Sequence, residues 1–296
     1  MSDFRAGFVS FVGRPNVGKS TLTNALVGEK IAITSDKPQT TRRAIRGIAH
    51  RESGQLILVD TPGLHRPRTL LGQRLNDLVE TTLGSVDVIA MCFPANEKIG
   101  PGDTFINEQL ARFPRAKLIA VVTKSELVDR SVLAEKLIEV STMRDWREIV
   151  PVSAVAGEQI DELAEVLIGY LPISPALYPH DAITEESDED RICEFVREAA
   201  LDGVREELPH SLAVTITEMG PRDGNGIFDI HANIWVERDS QKAIIIGKGA
   251  SRLKHIGSTS RPQIEKLLGR KVFLSLHVKV APDWQRDPKQ LGRLGF

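Results

Sequence analysis

Residues 6–171 alternate between short apolar runs and longer segments of helical length. In such an alternation each apolar run predicts a buried strand, and each longer segment predicts a helix that covers the sheet. Strands are predicted at residues 8–12, 56–59, 86–93, 118–122 and 149–152, and helices at 21–27, 73–83, 131–140 and 159–170. Residues 44–51 predict an edge strand, antiparallel to 56–59. We therefore expect a mainly parallel sheet with helices on both faces.

After residue 171, prolines interrupt this pattern and indicate a linker. The chain beyond the linker predicts a smaller α+β domain in the order helix, strand, strand, helix, helix, strand. Its strands are expected at residues 212–218, 227–237 and 272–280. A turn is expected at 220–224, and acidic residues at 185–190 are expected to complement the N-terminal end of the first helix. The predicted divisions of the chain are a first domain at 1–172, a linker at 173–186, a second domain at 187–282 and a tail at 283–296.

The composition indicates a soluble globular protein. Of the 296 residues, 41% are hydrophobic and 26% are charged, which are ordinary values for folded domains. No apolar stretch approaches the ~20 residues that a membrane helix needs, and the polar start of the chain predicts no signal peptide. The two cysteines, Cys92 and Cys193, suggest neither a disulfide framework nor a metal site. We expect both to be buried thiols in a reducing cytoplasm.

Charge is distributed unevenly along the chain. The net charge of the whole chain is −2, but residues 241–296 hold twelve Lys or Arg against three acidic residues, a net charge of +9. Residues 1–240 therefore carry −11. A basic end of this kind is typical of nucleic-acid binding, and a solvated basic face without a partner is the alternative.

Residues 13–20 match the phosphate-binding loop pattern G-x-x-x-x-G-K-S. The nucleotide-binding residues expected there are Gly13, Arg14, Pro15, Asn16, Val17, Gly18, Lys19, Ser20 and Thr21. The glycines let backbone N–H groups surround a polyphosphate, the lysine reaches the outer phosphates and the serine hydroxyl binds Mg²⁺. The strand before the loop and the helix after it are the context that this motif requires. We therefore expect the first domain to be a P-loop NTPase domain.

A second phosphate-site element, the sequence D-T-P-G, begins at Asp60. This carboxylate is expected to hold Mg²⁺ through water, and the N–H of Gly63 is expected to contact the terminal phosphate. Between the two elements lies a polar segment, residues 38–42, that suits a switch loop. A threonine hydroxyl there would complete the Mg²⁺ shell when the terminal phosphate is present. We favour Thr41 for this role, with Thr40 as the alternative.

Two further elements are similar to the guanine-reading elements of translation-factor-like GTPases. The first of these normally reads N-K-x-D, and here Thr123, Lys124 and Glu126 stand at its Asn, Lys and Asp. Glutamate keeps a carboxylate for guanine, and threonine keeps one hydroxyl to tie the element to the phosphate loop. The lysine stem is expected to pack along the base. The second element is Ser153 with Ala154, whose N–H would meet the guanine oxygen.

The residues after Gly63 bear on the rate of hydrolysis. Many small GTPases have a glutamine there that orients the attacking water, whereas this chain has Leu64 followed by His65. Leucine does no proton chemistry, so slow intrinsic turnover is expected. Two residues are candidates for assisting hydrolysis. Asn16 could coordinate K⁺ near the bridging oxygens in place of an arginine finger, and His65 could position the attacking water. The residues expected to act in catalysis are Asn16, Lys19, Thr41 and Gly63.

The segment 244–253 has the form of a KH loop, in which G-x-x-G between two helices lets the backbone approach RNA phosphates. The fourth position holds Ala250 in place of glycine, and basic residues lie beside the loop. Trp284 and Phe296, in the basic tail, suit either stacking on a base or docking onto the domain, and we favour docking. The residues expected to bind RNA are Gly247, Lys248, Gly249, Ala250, Arg252 and Lys254.

Taken in order, these motifs resemble the pattern of the Era GTPases over residues 6–296. The matching stretches are G-R-P-N-V-G-K-S at 13–20, Q-T-T-R at 39–42, D-T-P-G-L-H at 60–65, P-V-S-A at 151–154, Trp284, and L-G-F at 294–296. The resemblance implies a type II KH domain and a Mg²⁺-dependent switch that binds GTP and GDP and hydrolyses GTP. It further implies binding to the 3′ end of 16S ribosomal RNA and assistance in assembling the 30S subunit. We expect a cytoplasmic monomer, and the family implies some peripheral association with the cell membrane.

Two other functions fit parts of the sequence. A constitutive RNA-binding protein would have a degenerate nucleotide site, reduced by Thr123 and Glu126 to GDP binding or none. A metabolic P-loop kinase would need an acceptor site and a lid with arginines, for which Arg66 and Arg68 are the only local feature.

Overall fold

The chain separates into two compact units whose main boundary lies between Glu185 and Glu186, and the described residues 33–34 and 69–74 group with the second unit. The computed structural model describes residues 3–34, 41–62, 69–204, 208–222 and 226–296. The first unit contains a six-stranded sheet and the second contains a three-stranded sheet. Within the residues described, no helix combines the length and the apolar character needed to cross a membrane.

The sheet of the first unit has the predicted mainly parallel arrangement. Its strands are β1 (Arg5–Val12), β2 (Ile45–His50), β3 (Gly54–Asp60), β4 (Val88–Pro94), β5 (Lys117–Thr123) and β6 (Ile149–Pro151). Their order is β2-β3-β1-β4-β5-β6, and of these strands β2 alone runs antiparallel to its neighbour. Because parallel strands end at one edge of a sheet, the segments that follow β1, β3, β5 and β6 meet there.

Helices cover both faces of this sheet, as the sequence predicts. They are α1 (Lys19–Val27), α2 (Leu70–Ser85), α3 (Pro101–Gln109), α4 (Arg130–Ser141) and α5 (Ile160–Gly169). One core cluster joins Phe11 to α1 and α5, and a second joins Phe93 to α2, α3 and α4. Strands β3 and β4 are buried along their whole length, which is why their apolar residues form continuous runs. The sequence analysis did not predict α3.

The second unit has the predicted order of elements, with two short helices added, one before its first strand and one in the tail. Its elements are α6 (Asp188–Leu201), α7 (Leu208–Ser211), β7 (Ala213–Pro221), β8 (Phe228–Val236), α8 (Asp239–Ile246), α9 (Ser251–Leu268), β9 (Val272–Val280) and α10 (Pro288–Arg293). Strand β8 is central, antiparallel to β7 and parallel to β9. The Ser187 hydroxyl caps α6 by accepting the N–H of Asp190 at 3.1 Å. Acidic residues fill the first turn of α6, as expected.

Two details of the second unit bear on the sequence predictions. The predicted turn at 220–224 was wrong at its start, because Gly220 and Pro221 belong to β7 and pair with β8. An edge strand tolerates proline, which lacks a backbone donor. The rest of the turn lies partly outside the described residues. The tail docks onto the domain, as favoured. Trp284 is fully buried, and its indole N–H donates to the Ser211 carbonyl at 3.1 Å. Its ring stacks on that of Phe296, with the ring centroids 5.4 Å apart.

Residues 173–185, which we call the edge segment, pack along β2 and belong to the first unit. The N–H of Ile48 in β2 donates to the Ile183 carbonyl at 2.9 Å, and Gly47 and Thr184 form an antiparallel bridge. The buried side chain of Gln55 accepts two backbone N–H groups of the segment, at 2.7 and 3.0 Å, and donates to the Tyr178 carbonyl at 2.9 Å. The outer side of β2 is therefore hydrogen-bonded to the edge segment.

Candidate nucleotide site and nucleic-acid interface

The phosphate loop adopts backbone angles that its glycines permit. Gly13 and Gly18 have φ values of 154° and 100°, and Asn16 has a φ of 64°. A Cβ on Gly13 would lie 2.9 Å from both the Cys92 carbonyl oxygen and the side chain of Val17. The loop ends at the N-terminus of α1, where backbone N–H groups are available to an anion. This geometry is that of a phosphate cradle.

Lys19, the first residue of α1, is buried beneath the loop. Its ammonium donates to the carbonyls of Gly13 at 3.1 Å and Arg14 at 2.9 Å. Burial lowers the pKa of Lys19, and the charge of Asp60 opposes this shift. A polyphosphate above the loop would supply further negative charge, which favours the charged form.

Ser20, Thr41 and Asp60 come together below the loop, as predicted for the metal-binding residues. The Asp60 Oδ2 accepts the Ser20 hydroxyl at 2.8 Å and the Thr41 hydroxyl at 3.0 Å, and the two hydroxyl oxygens are 3.3 Å apart. The other carboxylate oxygen of Asp60 is buried and has no hydrogen-bond partner among the residues that the structure describes. Clustered oxygen donors of this kind fit Mg²⁺, and a cation would satisfy the orphaned oxygen. Thr40 and Gly63 lie outside the described residues.

The base-reading elements meet the phosphate loop at the ends of β5 and β6. The Thr123 hydroxyl donates to the Val17 carbonyl at 2.6 Å, so threonine makes the expected tie to the loop. Lys124 has a φ of 58°, and Glu126 is exposed in a short 3₁₀ helix over Ser125–Leu127. The buried Ser153 hydroxyl accepts the Ala156 N–H at 3.0 Å and shapes the turn that carries Ala154. The structure thus brings the base-reading residues to one edge of the sheet.

The residues predicted to act in hydrolysis are only partly described. Asn16 is exposed on the phosphate loop and Thr21 is half-buried in α1. Leu64, His65, Arg66 and Arg68 lie outside the described residues.

The two cysteines differ in burial. Burial raises the pKa of the Cys92 thiol to about 12, so this thiol stays protonated and inert. Cys193 is only half-buried, less than expected.

The predicted RNA-binding loop joins α8 to α9 through three residues with positive φ, of which Gly249 and Ala250 are in the left-handed conformation. Gly247, Gly249 and Ala250 have φ values of 70°, 60° and 59°, so alanine stands where a G-x-x-G loop has glycine and the angle remains positive. Lys248 and Lys254 are exposed. The Arg252 guanidinium instead donates to the Ala200 carbonyl at 3.2 Å and to the Asp202 carbonyl, which holds the end of α6.

Two acidic residues that were not predicted from the sequence contact the phosphate loop, one from α3 and one from the loop before it. Asp103 is 1% exposed, and its Oδ1 accepts the Nε–H of Arg14 at 2.9 Å. Proline at the first position of α3 and aspartate at the third are a helix-start signal that was present in the sequence. No sequence signal identifies the second residue, Glu97, whose contacts join segments distant in the chain.

Comparisons with known proteins agree over both units. The profile of the 50S ribosome-binding GTPase family matches residues 8–124, and that of the KH domain family matches residues 207–285. GTPase Era of Mycobacterium sp. (strain KMS) is 62% identical, with 100% of both chains covered. GTPase Era of Streptomyces coelicolor is 60% identical, covering 99% of this chain and 95% of the relative.

Two solved structures have the same fold over nearly the whole chain. One is a variant of Aquifex aeolicus Era bound to GDP and AlF4⁻, with a TM-score of 0.94, 38% identity and 99% of each chain covered. The other is Era in complex with MgGDPNP and nucleotides 1506–1542 of 16S ribosomal RNA, with a TM-score of 0.94, 38% identity and 99% of each chain covered.

Proposed function

Because this chain belongs to the Era family of GTPases, we propose that it is a GTP-hydrolysing switch that binds the 3′ end of 16S ribosomal RNA and assists assembly of the 30S subunit. The observation that carries the nucleotide half is the cluster in which Ser20 and Thr41 donate to one carboxylate oxygen of Asp60, while the other oxygen is buried without a hydrogen-bond partner among the described residues. Those residues would hold Mg²⁺, which would neutralise phosphate charge during transfer of the terminal group to water.

Other residues would orient the phosphates, respond to the terminal phosphate and recognise the base. The phosphate-loop N–H groups and Lys19 orient the phosphates, since both lie at the start of α1. Thr41 belongs to the polar switch segment at residues 38–42, and its hydroxyl would bind the metal when GTP is present. Thr123 fixes the base-reading element to the loop, and Glu126 presents an exposed carboxylate for the guanine N–H groups.

The RNA half of the proposal rests on the second unit. Its charge of +9 over residues 241–296, the exposed Lys248 and Lys254, and the tight loop at Gly247–Ala250 suit contact with phosphates. Arg252 acts in this proposal by holding the end of α6 rather than by touching RNA.

The finer parts of the proposal come from the family resemblance and from the residues together. The chain has domains at 1–172 and 187–282, a linker at 173–186 between them and a basic tail at 283–296. Asn16 would hold K⁺ as a second cation. The protein is a cytoplasmic monomer that contacts the 30S subunit and, peripherally, the cell membrane.

Calorimetric titration of the full chain with GDP and with ADP, each in Mg²⁺, tests the nucleotide half. We expect a strong preference for GDP, and Glu126→Gln should reduce GDP affinity roughly 10-fold or more while leaving ADP affinity unchanged, because the charged acceptor is lost. Comparable affinities for GDP and ADP in the wild-type protein would contradict guanine recognition.

Binding of a 16S 3′-end oligonucleotide in the presence of a GTP analogue or GDP tests the switch. We expect affinity to depend on the nucleotide and this dependence to vanish in Lys19→Ala. If wild type and Lys19→Ala bind RNA equally in every nucleotide state, the protein is instead a constitutive RNA-binding protein.

A further inference from the structure

The loop between β4 and α3, residues 95–100, contacts both the phosphate loop and the base-reading element of the nucleotide site. Its first N–H, that of Ala95, donates to the Thr123 carbonyl at 2.8 Å, so the loop is tied to the base-reading element by the backbone. None of the nucleotide-binding motifs of the sequence includes this loop. Its acidic side chain, Glu97, is therefore not accounted for by the proposed function.

The end of this loop holds the phosphate loop through Arg14. Asp103, one turn into α3, accepts the Arg14 Nε–H at 2.9 Å on one oxygen and the Gly100 N–H at 2.9 Å on the other. A Cβ on Gly102 would lie 2.9 Å from the Cδ of Arg14. The arginine stem thus packs directly on the start of α3, and a buried carboxylate fixes its direction.

Glu97 stands between two cations that belong to different nucleotide elements. Its Oε2 is 3.2 Å from the Arg14 Nη2, and its Oε1 is 3.8 Å from the Lys124 Nζ. The side chains of Arg14, Glu97 and Lys124 are 27%, 42% and 29% exposed, so solvent screens these attractions in part. One carboxylate nevertheless connects the phosphate-binding segment with the base-reading segment.

We propose that Glu97 is a positioning residue of the nucleotide site, which couples Arg14 in the phosphate loop to Lys124 beside the base. By holding these two segments at a fixed separation, Glu97 slows release of a nucleotide whose two ends they bind. The inference rests on the proposed nucleotide binding and adds a residue that controls the lifetime of the complex. Chemistry at the terminal phosphate does not involve Glu97.

The test compares Glu97→Gln with Glu108→Gln, an exposed acidic residue of α3, in the full-length protein. We expect dissociation of a fluorescent GDP to be roughly 3- to 10-fold faster in Glu97→Gln, in line with loss of a partly exposed ion-pair network, and unchanged in Glu108→Gln. Glu97→Asp should restore part of the wild-type rate. At saturating GTP the turnover number should stay unchanged while KM rises.

Coupling is tested by combining Glu97→Gln with Arg14→Gln. Arg14→Gln should accelerate release less in the Glu97→Gln background than in the wild type, because the two side chains act together. Equal dissociation rates in Glu97→Gln, Glu108→Gln and wild type would overturn the proposal, as would full additivity. A wild-type protein that binds no GDP would instead contradict the proposed function.

Discussion

At the residue scale, Ala250 occupies a backbone conformation that costs an L-residue free energy. Its φ of 59° lies in the left-handed region, which is disfavoured by about 1 kcal/mol or more for residues with a Cβ. We expect Ala250→Gly to raise the free energy of unfolding by about 1 kcal/mol. Ala243→Gly, at an exposed position in α8, should lower it by about the same amount. Denaturant unfolding of the full chain measures both, and destabilisation by both substitutions would argue against strain at Ala250.

The buried carboxyl of Asp60 makes stability depend on pH when Mg²⁺ is absent. Burial raises the pKa of Asp60 above its ordinary 3.8, and the Ser20 hydroxyl, the Lys19 charge and the Thr41 hydroxyl offset this shift only in part. The contribution of Asp60 to the free energy of unfolding is therefore complete below its unfolded-state pKa. This contribution declines as pH rises through the folded-state pKa.

We expect the difference in unfolding free energy between wild type and Asp60→Asn to shift in favour of the variant as pH rises from about 4 to about 7. Urea unfolding in a chelator measures this shift. Adding Mg²⁺ and GDP should reverse it, because only the wild type keeps the charged metal ligand. A difference that is constant with pH would mean that Asp60 titrates at its ordinary value.

Asn16 is the residue on which the proposed K⁺ requirement rests. It is exposed on the phosphate loop, and glutamine is replaced by Leu64 where many small GTPases position water. We expect faster GTP turnover in K⁺ than in Na⁺, and loss of this difference in Asn16→Asp. Steady-state phosphate release in the two salts is the measurement, and equal wild-type rates would remove K⁺ from the mechanism.

At the scale of elements, the loop between α8 and α9 offers a controlled test of RNA contact. Gly249 is left-handed, and a Cβ there would meet nothing within 4 Å, whereas one on Gly247 would lie 2.8 Å from the Cβ of Arg252. Aspartate and asparagine both tolerate this conformation. We therefore expect Gly249→Asp to weaken RNA binding roughly 10-fold or more relative to Gly249→Asn, because the variants differ by one charge facing phosphate.

Filter binding at several salt concentrations measures this difference, which should shrink as salt rises. Equal affinities for the two variants at low salt would remove Gly249 from the interface.

The elements that the sequence predicted best are those with a strong local signal. Buried parallel strands such as β3 and β4 are continuous apolar runs, and the phosphate loop has its own pattern of glycines. Helix α3 was missed because only a few apolar residues mark its buried side. The pairing of Arg14 with Asp103 joins residues 89 positions apart, and no local pattern specifies such a contact. The same holds for the Gln55 contacts with the edge segment, which depend on how distant parts of the chain fold together.

At the scale of the whole molecule, the main boundary between the two units lies later in the chain than the prolines predict. The prolines predict a linker from residue 173, yet residues up to 185 pack on the first unit. Charge does not follow this division: residues 186–240 hold 14 acidic and 5 basic residues, a net charge of −9, so the basic character belongs to residues 241–296 alone. Each unit has its own core, as independently cooperative domains require.

The edge segment shields the outer strand of the sheet from other copies of the protein. A fragment of residues 1–172 would leave the N–H of Ile48 and the carbonyl of Arg46 unpaired at an open sheet edge, and Gln55 would lose its three hydrogen bonds to the edge segment. Open edges recruit strands from neighbouring molecules. We expect this fragment to self-associate as its concentration rises, whereas a fragment of residues 1–185 should sediment as a monomer. Identical sedimentation of the two fragments would contradict this role. Self-association of the shorter fragment alone would show that residues 173–185 protect the protein against aggregation.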